Sequence, residues 1–229
     1  MNPVYVALDT TDLDCARGLA ERLRGSVGGL KLGLEFFSAH GPEGVRAFSQ
    51  MDIPIFLDLK FHDIPNTVAG ACRAAASLGV SIINVHACGG PAMLKAAGEA
   101  ARGVNPAVKV IAVTVLTSLN QADLQAAGVS GTPGDQVLRL AQLTKANGLD
   151  GVVCSAHEIA PLRAALGKDF MLVVPGIRPA GADLNDQSRV MTPPEAHKAG
   201  VDILVIGRPI TAAPDPVQAA RDIAQSLGF

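Results

Sequence analysis

Short runs rich in Val, Ile and Leu recur along the chain and alternate with longer segments dominated by Ala and Leu. The runs cover residues 4–8, 29–32, 53–60, 81–87, 109–116, 151–155, 171–175 and 202–207. They are apolar on both faces, which marks strands of a parallel sheet covered by helices. Helical spacing fills the intervals over residues 12–24, 35–49, 66–78, 91–102, 135–147, 156–166 and 193–199, and an eighth helix over 216–227 ends the chain. Eight strand–helix units that close on themselves make a (β/α)8 TIM barrel, an α/β fold. An open doubly wound sheet is the competing arrangement, but its glycine-rich turn after the first strand is missing; Leu8-Asp9-Thr10-Thr11 stands there. No linker or charge block divides the chain, so residues 1–229 are expected to form a single domain.

Composition narrows the function classes. The net charge is -2, with no basic excess to attract nucleic acid or an anionic membrane surface. Aromatic content is 3% and Trp is absent, which disfavours a stacking platform for single strands. Cys15, Cys72, Cys88 and Cys154 are widely spaced and fit no zinc framework. They suit a reduced, cytoplasmic protein. The first residues read as the start of the first strand, so no secretory leader is expected, and no apolar run is long enough to span a bilayer.

A barrel places its chemistry at the C-terminal ends of its strands. Those ends carry Asp9, Lys31, Asp58, Lys60, His86, Thr117, Ser118, Ser155, Arg178 and Arg208. Within Phe56-Leu57-Asp58-Leu59-Lys60-Phe61-His62-Asp63-Ile64-Pro65-Asn66-Thr67, strand alternation puts Asp58 and Lys60 on one face and Leu57, Leu59 and Phe61 on the other. Asp63 follows in the loop. A lysine between carboxylates is favoured in its charged form, so Lys60 reads as a proton donor rather than a Schiff-base nucleophile. A carboxylate facing a substrate carboxylate repels it until CO2 leaves, and the ammonium then stabilises the carbanion. Such differential interaction is what accelerates a reaction. The same spacing also fits an ion-pair triad that only fixes the third strand.

Val173-Val174-Pro175-Gly176-Ile177-Arg178-Pro179 and Val205-Ile206-Gly207-Arg208-Pro209-Ile210 close strands seven and eight, where TIM barrels hold phosphate. Gly176 and Gly207 allow backbone N–H groups to approach an anion that Arg178 or Arg208 can clamp. The polar stretch 180–191 reads as a lid from which Gln187 reaches down.

These stretches, together with Val6-Ala7-Leu8-Asp9, Lys31-Leu32-Gly33, Val113-Thr114-Val115-Leu116-Thr117-Ser118 and Asp186-Gln187, resemble orotidine 5'-phosphate decarboxylases over essentially the whole chain. The resemblance implies conversion of orotidine 5'-monophosphate to uridine 5'-monophosphate and CO2, the last step of UMP synthesis de novo, without metal or cofactor. It implies that Lys60 protonates C6 of the pyrimidine and Asp58 faces the departing carboxylate. Lys31 would extend the charge chain towards the ribose, and Asp9 would bind a ribose hydroxyl. Thr117 and Ser118 would contact the base, Pro175 would flank it, and Arg178, Gln187, Gly207 and Arg208 would hold the phosphate. A homodimer is also implied, in which Asp63, Ile64 and Thr67 serve the partner's site. Three alternatives remain open. A related Mg2+-dependent sugar-phosphate decarboxylase shares D-x-K-x-x-D. A zinc hydrolase would use His62 and His86, which read as packing or supporting histidines because no H-x-H pair follows strand one. A phosphate-binding module would need only the arginine loops.

Overall fold

The computed structural model describes residues 2–179 and 191–229. Eight parallel strands close into a barrel in sequence order. They are β1 Val4–Ala7, β2 Gly29–Leu32, β3 Ile55–Phe61, β4 Ile82–His86, β5 Lys109–Val113, β6 Gly151–Val153, β7 Met171–Pro175 and β8 Ile203–Ile206. Closure comes from β1 against β8, with Val4 opposite Leu204 and Val6 opposite Ile206. The helices are α1 Leu13–Leu23, α2 Leu34–Arg46, α3 Pro65–Ala76, α4 Gly90–Arg102, α5 Gln121–Ala126, α6 Pro133–Ala146, α7 Ile159–Leu166, α8 Pro193–Ala199, α9 Arg208–Thr211 and α10 Pro216–Ser226.

Alternation along the strands splits the buried apolar residues in two. Tyr5, Ala7, Phe56, Ile82, Ile111, Val173, Ile203 and Val205 fill the barrel interior. Val4, Val6, Leu30, Leu32, Leu57, Ile83 and their neighbours pack outward under the helices. The interior is therefore a packed apolar plug, and polar side chains on the same faces one layer further along must emerge at the barrel mouth.

Three local features depart from the sequence-based reading. The α2 segment is kinked rather than continuous: Gly41 takes φ 57 and Pro42 follows it, so the helical ladder breaks between them. Two short helices, α5 and α9, occupy stretches read as loops. Asn120 and Asp123 start α5 with a reciprocal capping box, which that reading overlooked. β5 ends at Val113, short of residue 116, and the chain turns away through Thr114 to Ser118.

Candidate active site

The mouth of the barrel at the C-terminal strand ends holds a pocket of about 290 Å³. Its floor is the upper layer of the plug, with Ala7, Phe56, Val113, Val153, Val173 and Val205 exposed to it. Asp9, Lys31, Asp58 and Lys60 line one side. Thr117, Pro175, Gly176, Arg178, Gly207 and Arg208 complete the wall.

The charged side is a connected chain. Lys31 donates from Nζ to Asp9 Oδ1 at 3.1 Å and lies 3.4 Å from Asp58 Oδ2. Lys60 Nζ donates to Asp58 Oδ1 at 2.6 Å. Lys31 and Asp58 are buried, whereas the Asp9 side chain is about half exposed. Burial alone would push the Asp58 carboxyl up. The Lys31 and Lys60 ammonium groups, with bonds from Lys60 and Asn84, more than reverse this and hold it below the ordinary carboxylate range. Asp58 is therefore an anion at neutral pH. Asp9 does not cap the first helix; Asp12 does, accepting from the Cys15 N–H. A side chain at Gly33 would crowd this cluster, because a Cβ there would stand 2.9 Å from Lys31 Nζ and 3.0 Å from Asp9 Oδ1 and those side-chain ends would have to move.

Lys60 does not sit in a regular strand. Leu57 pairs with Ile83 but Phe61 pairs with Val85, a two-residue shift of register across the intervening residues. Lys60 takes φ 54, left-handed for a residue with a Cβ. Its backbone N–H is received by the Asn84 side chain, Oδ1 at 2.8 Å. Asn84 Nδ2 also donates to Asp58 Oδ1 at 2.7 Å. Asn84 was missed in the sequence, although an amide inside the apolar run Ile82-Ile83-Asn84-Val85 was a signal, since a buried amide needs partners.

The opposite wall is cationic. Gly176 has φ 76 and turns the chain at the end of β7, so that Ile177 buries outward while Arg178 returns to the pocket. Burial, then the neighbouring Arg208, lowers the Arg178 guanidinium from its usual value. Arg178 Nη1 donates to the Ile177 carbonyl at 3.0 Å, and its buried Nε has no partner among the described residues. Two neighbouring guanidinium groups that repel each other favour an anion beside them.

Other residues singled out in the sequence stand elsewhere. Asp63, Ile64 and Thr67 lie exposed on the β3–α3 connection and at the start of α3, outside the pocket lining, and Asp63 accepts from the Ile64 N–H. Ser118 is exposed beyond Thr117 and does not line the pocket. Gln187, Asp186 and the lid 180–191, apart from Met191, lie outside the described residues. The His62 and His86 rings stand 5.4 Å apart, and burial, then His62 and Lys60, hold His86 below its ordinary value. No three His, Cys, Asp or Glu among the described residues are placed to share a metal ion.

A parallel eight-stranded barrel with a charged acid–base chain on one wall of its mouth and paired arginines on the other defines the class: a barrel built for an anionic small molecule. The chain belongs to the orotidine 5'-phosphate decarboxylase / HUMPS family, whose model matches residues 2–223. It is 59% identical to an orotidine 5'-phosphate decarboxylase of Rhodospirillum rubrum, covering 99% of this chain and 94% of that one. The corresponding Paramagnetospirillum magneticum protein is 53% identical, with both chains fully covered. Among solved structures, orotidine 5'-phosphate decarboxylase from Lactobacillus acidophilus superimposes with a TM-score of 0.90 at 36% identity over all of both chains. An uncharacterized conserved protein from Geobacillus kaustophilus gives 0.87 at 34%, covering 98% of this chain and all of that one.

Proposed function

We propose that this chain is an orotidine 5'-phosphate decarboxylase, converting orotidine 5'-monophosphate to uridine 5'-monophosphate and CO2 with Lys60 as the proton donor. The observation that carries the reading is the buried, ionised Asp58 between Lys31 and Lys60, facing a pocket closed on its other side by Arg178 and Arg208. In this mechanism the arginines and the Gly207 backbone anchor the 5'-phosphate, with Gln187 added from the 180–191 segment. Asp9 and Lys31 take the ribose, Thr117 and Ser118 the base edge, and Pro175 the ring face. Anchoring at both ends directs the C6 carboxylate at Asp58, and the repulsion between the two anions is relieved only as the C6–carboxylate bond breaks. The electron pair left on C6 is stabilised by the Lys60 ammonium and takes its proton; the resulting amine is reprotonated from water. Phosphate binding far from the reacting carbon thus opposes the repulsion at C6.

The reading assigns Asp63, Ile64 and Thr67 to the site of a second copy in a homodimer. Ile64 is 68% exposed, a large apolar side chain that a partner would cover. The whole chain, residues 1–229, is treated as one catalytic domain that needs neither metal nor cofactor. All four cysteines are free, which fits a reducing compartment, the cytoplasm.

The test is the loss of pyrimidine absorbance when the protein meets orotidine 5'-monophosphate in excess EDTA. Turnover is expected. Activity lost to EDTA and restored by Mg2+ would instead favour the metal-dependent relatives. Lys60→Ala should abolish turnover and keep uridine 5'-monophosphate binding within a few-fold; unchanged turnover would refute the role of Lys60.

A further inference from the structure

Asn84 is fully buried on β4, on the face that points into the barrel, one layer above the apolar Ile82. An amide there costs about 1–3 kcal/mol unless its polar atoms are satisfied. Both of its contacts are catalytic in the proposed reaction. The side-chain oxygen accepts from Lys60 N–H at 2.8 Å, and the nitrogen donates to Asp58 Oδ1 at 2.7 Å. The chemistry fixes which way the amide points. A backbone N–H can only donate and an ionised carboxylate can only accept, so only a side chain with one acceptor and one donor fits between them.

The register shift explains why this residue is needed. Between the Leu57–Ile83 and Phe61–Val85 pairs the strand leaves the regular ladder, and Lys60 turns left-handed at φ 54. The Lys60 N–H finds its partner in a side chain of β4. That one amide holds the strained turn carrying the ammonium, and also supplies Asp58 Oδ1 with its second donor beside Lys60 Nζ at 2.6 Å. We infer that Asn84 is a positioning residue: it locks the Lys60 backbone and the Asp58 carboxylate into one fixed geometry for proton delivery. This rests on the decarboxylase reading and adds a residue to it.

Two variants test it. In Asn84→Ala, kcat for orotidine 5'-monophosphate should fall about 100-fold, the scale of a misplacement near 1 Å, with KM and product affinity within a few-fold. Asn84→Asp keeps the shape but sets a carboxylate against Asp58. Only when the introduced carboxyl holds a proton does it again donate to Asp58, so its kcat relative to wild type should rise about tenfold per pH unit as pH falls towards the elevated pKa of the pair. A kcat ratio that stays flat with pH overturns the proposal, as does an Asn84→Ala enzyme that loses stability but not kcat. Should Asn84→Ala fail to fold, the shape-preserving variant still decides. A wild-type protein that does not turn over the nucleotide removes the functional reading alone. The positioning bond is then read from the 13C titration of the Asp58 carboxyl, which is expected to move up in Asn84→Ala; an unmoved titration overturns it.

Discussion

Replacing Lys60 by glycine should give a more stable protein than replacing it by alanine, although glycine normally weakens a strand. Both changes remove the ammonium 2.6 Å from Asp58, so the lost ion pair cancels in the comparison. What remains is the backbone. At φ 54 a residue with a Cβ bears a left-handed cost of about 1–2 kcal/mol that glycine does not. Against this, glycine gives the unfolded chain more freedom, worth about 0.4–1 kcal/mol. Taken at the middle of both ranges, the difference favours Lys60→Gly by roughly 0.8 kcal/mol. Urea unfolding measures it: with a slope near 2 kcal/mol/M the midpoint of Lys60→Gly should lie about 0.3–0.5 M above that of Lys60→Ala. Lys109, exposed on β5 and not left-handed, supplies the control, where glycine should be the worse of the two by about 0.5–1 kcal/mol. Equal midpoints at residue 60, or the same order at both positions, would refute the strained turn and the geometry built on it.

Three further outcomes follow from the site. Asp58→Asn should lose its stability deficit in acid. A carboxyl held below its ordinary value contributes stability above the unfolded value, about 3.8, and loses it as pH falls through the folded one, so the wild-type advantage in unfolding free energy should narrow below about pH 4. If Arg178 holds the phosphate as proposed, Arg178→Ala should weaken uridine 5'-monophosphate about 10–100-fold by calorimetry while leaving uridine unchanged, because charge-assisted bonds would be lost. Equal losses for both ligands would move Arg178 away from the phosphate. Mixing inactive Lys60→Ala and Asp63→Ala chains should restore part of the activity if Asp63 serves a partner's site; no recovery after subunit exchange would assign Asp63 a role on its own loop.

The order of strands and helices was readable because it is written in local periodicity. Short, β-branched runs apolar on both faces fit strands buried between plug and helices, and the two apolar clusters of the barrel divide them by alternate residues as the period of two demands. Asp58, two positions beyond Phe56, and Asp9, two beyond Ala7, were readable for the same reason, and Arg208 follows just past Gly207 at the end of β8. The kink at Gly41-Pro42 was equally local and was passed over. The left-handed turn at Lys60 was not available to any such argument. It arises from register against β4, a relation between residues 24 or more positions apart, and no residue near Lys60 is a glycine that would announce it.

That non-local feature is also where the fold and the chemistry meet. A regular β3 would carry Lys60 two strand positions beyond Asp58, about 6.6 Å further along, with each side chain free to choose its partner. The register shift and the left-handed residue fold that distance back, and the Asn84 amide holds the result. The Lys31–Asp58–Lys60 chain is then held in one place, where the proposed reaction would need a carboxylate that stays charged and a proton within reach. The strain is small beside the stability that eight strands and their helices supply, so a barrel can bear it at its mouth while its plug remains regular. On this view, mutations that regularise β3 should raise stability and lower kcat together.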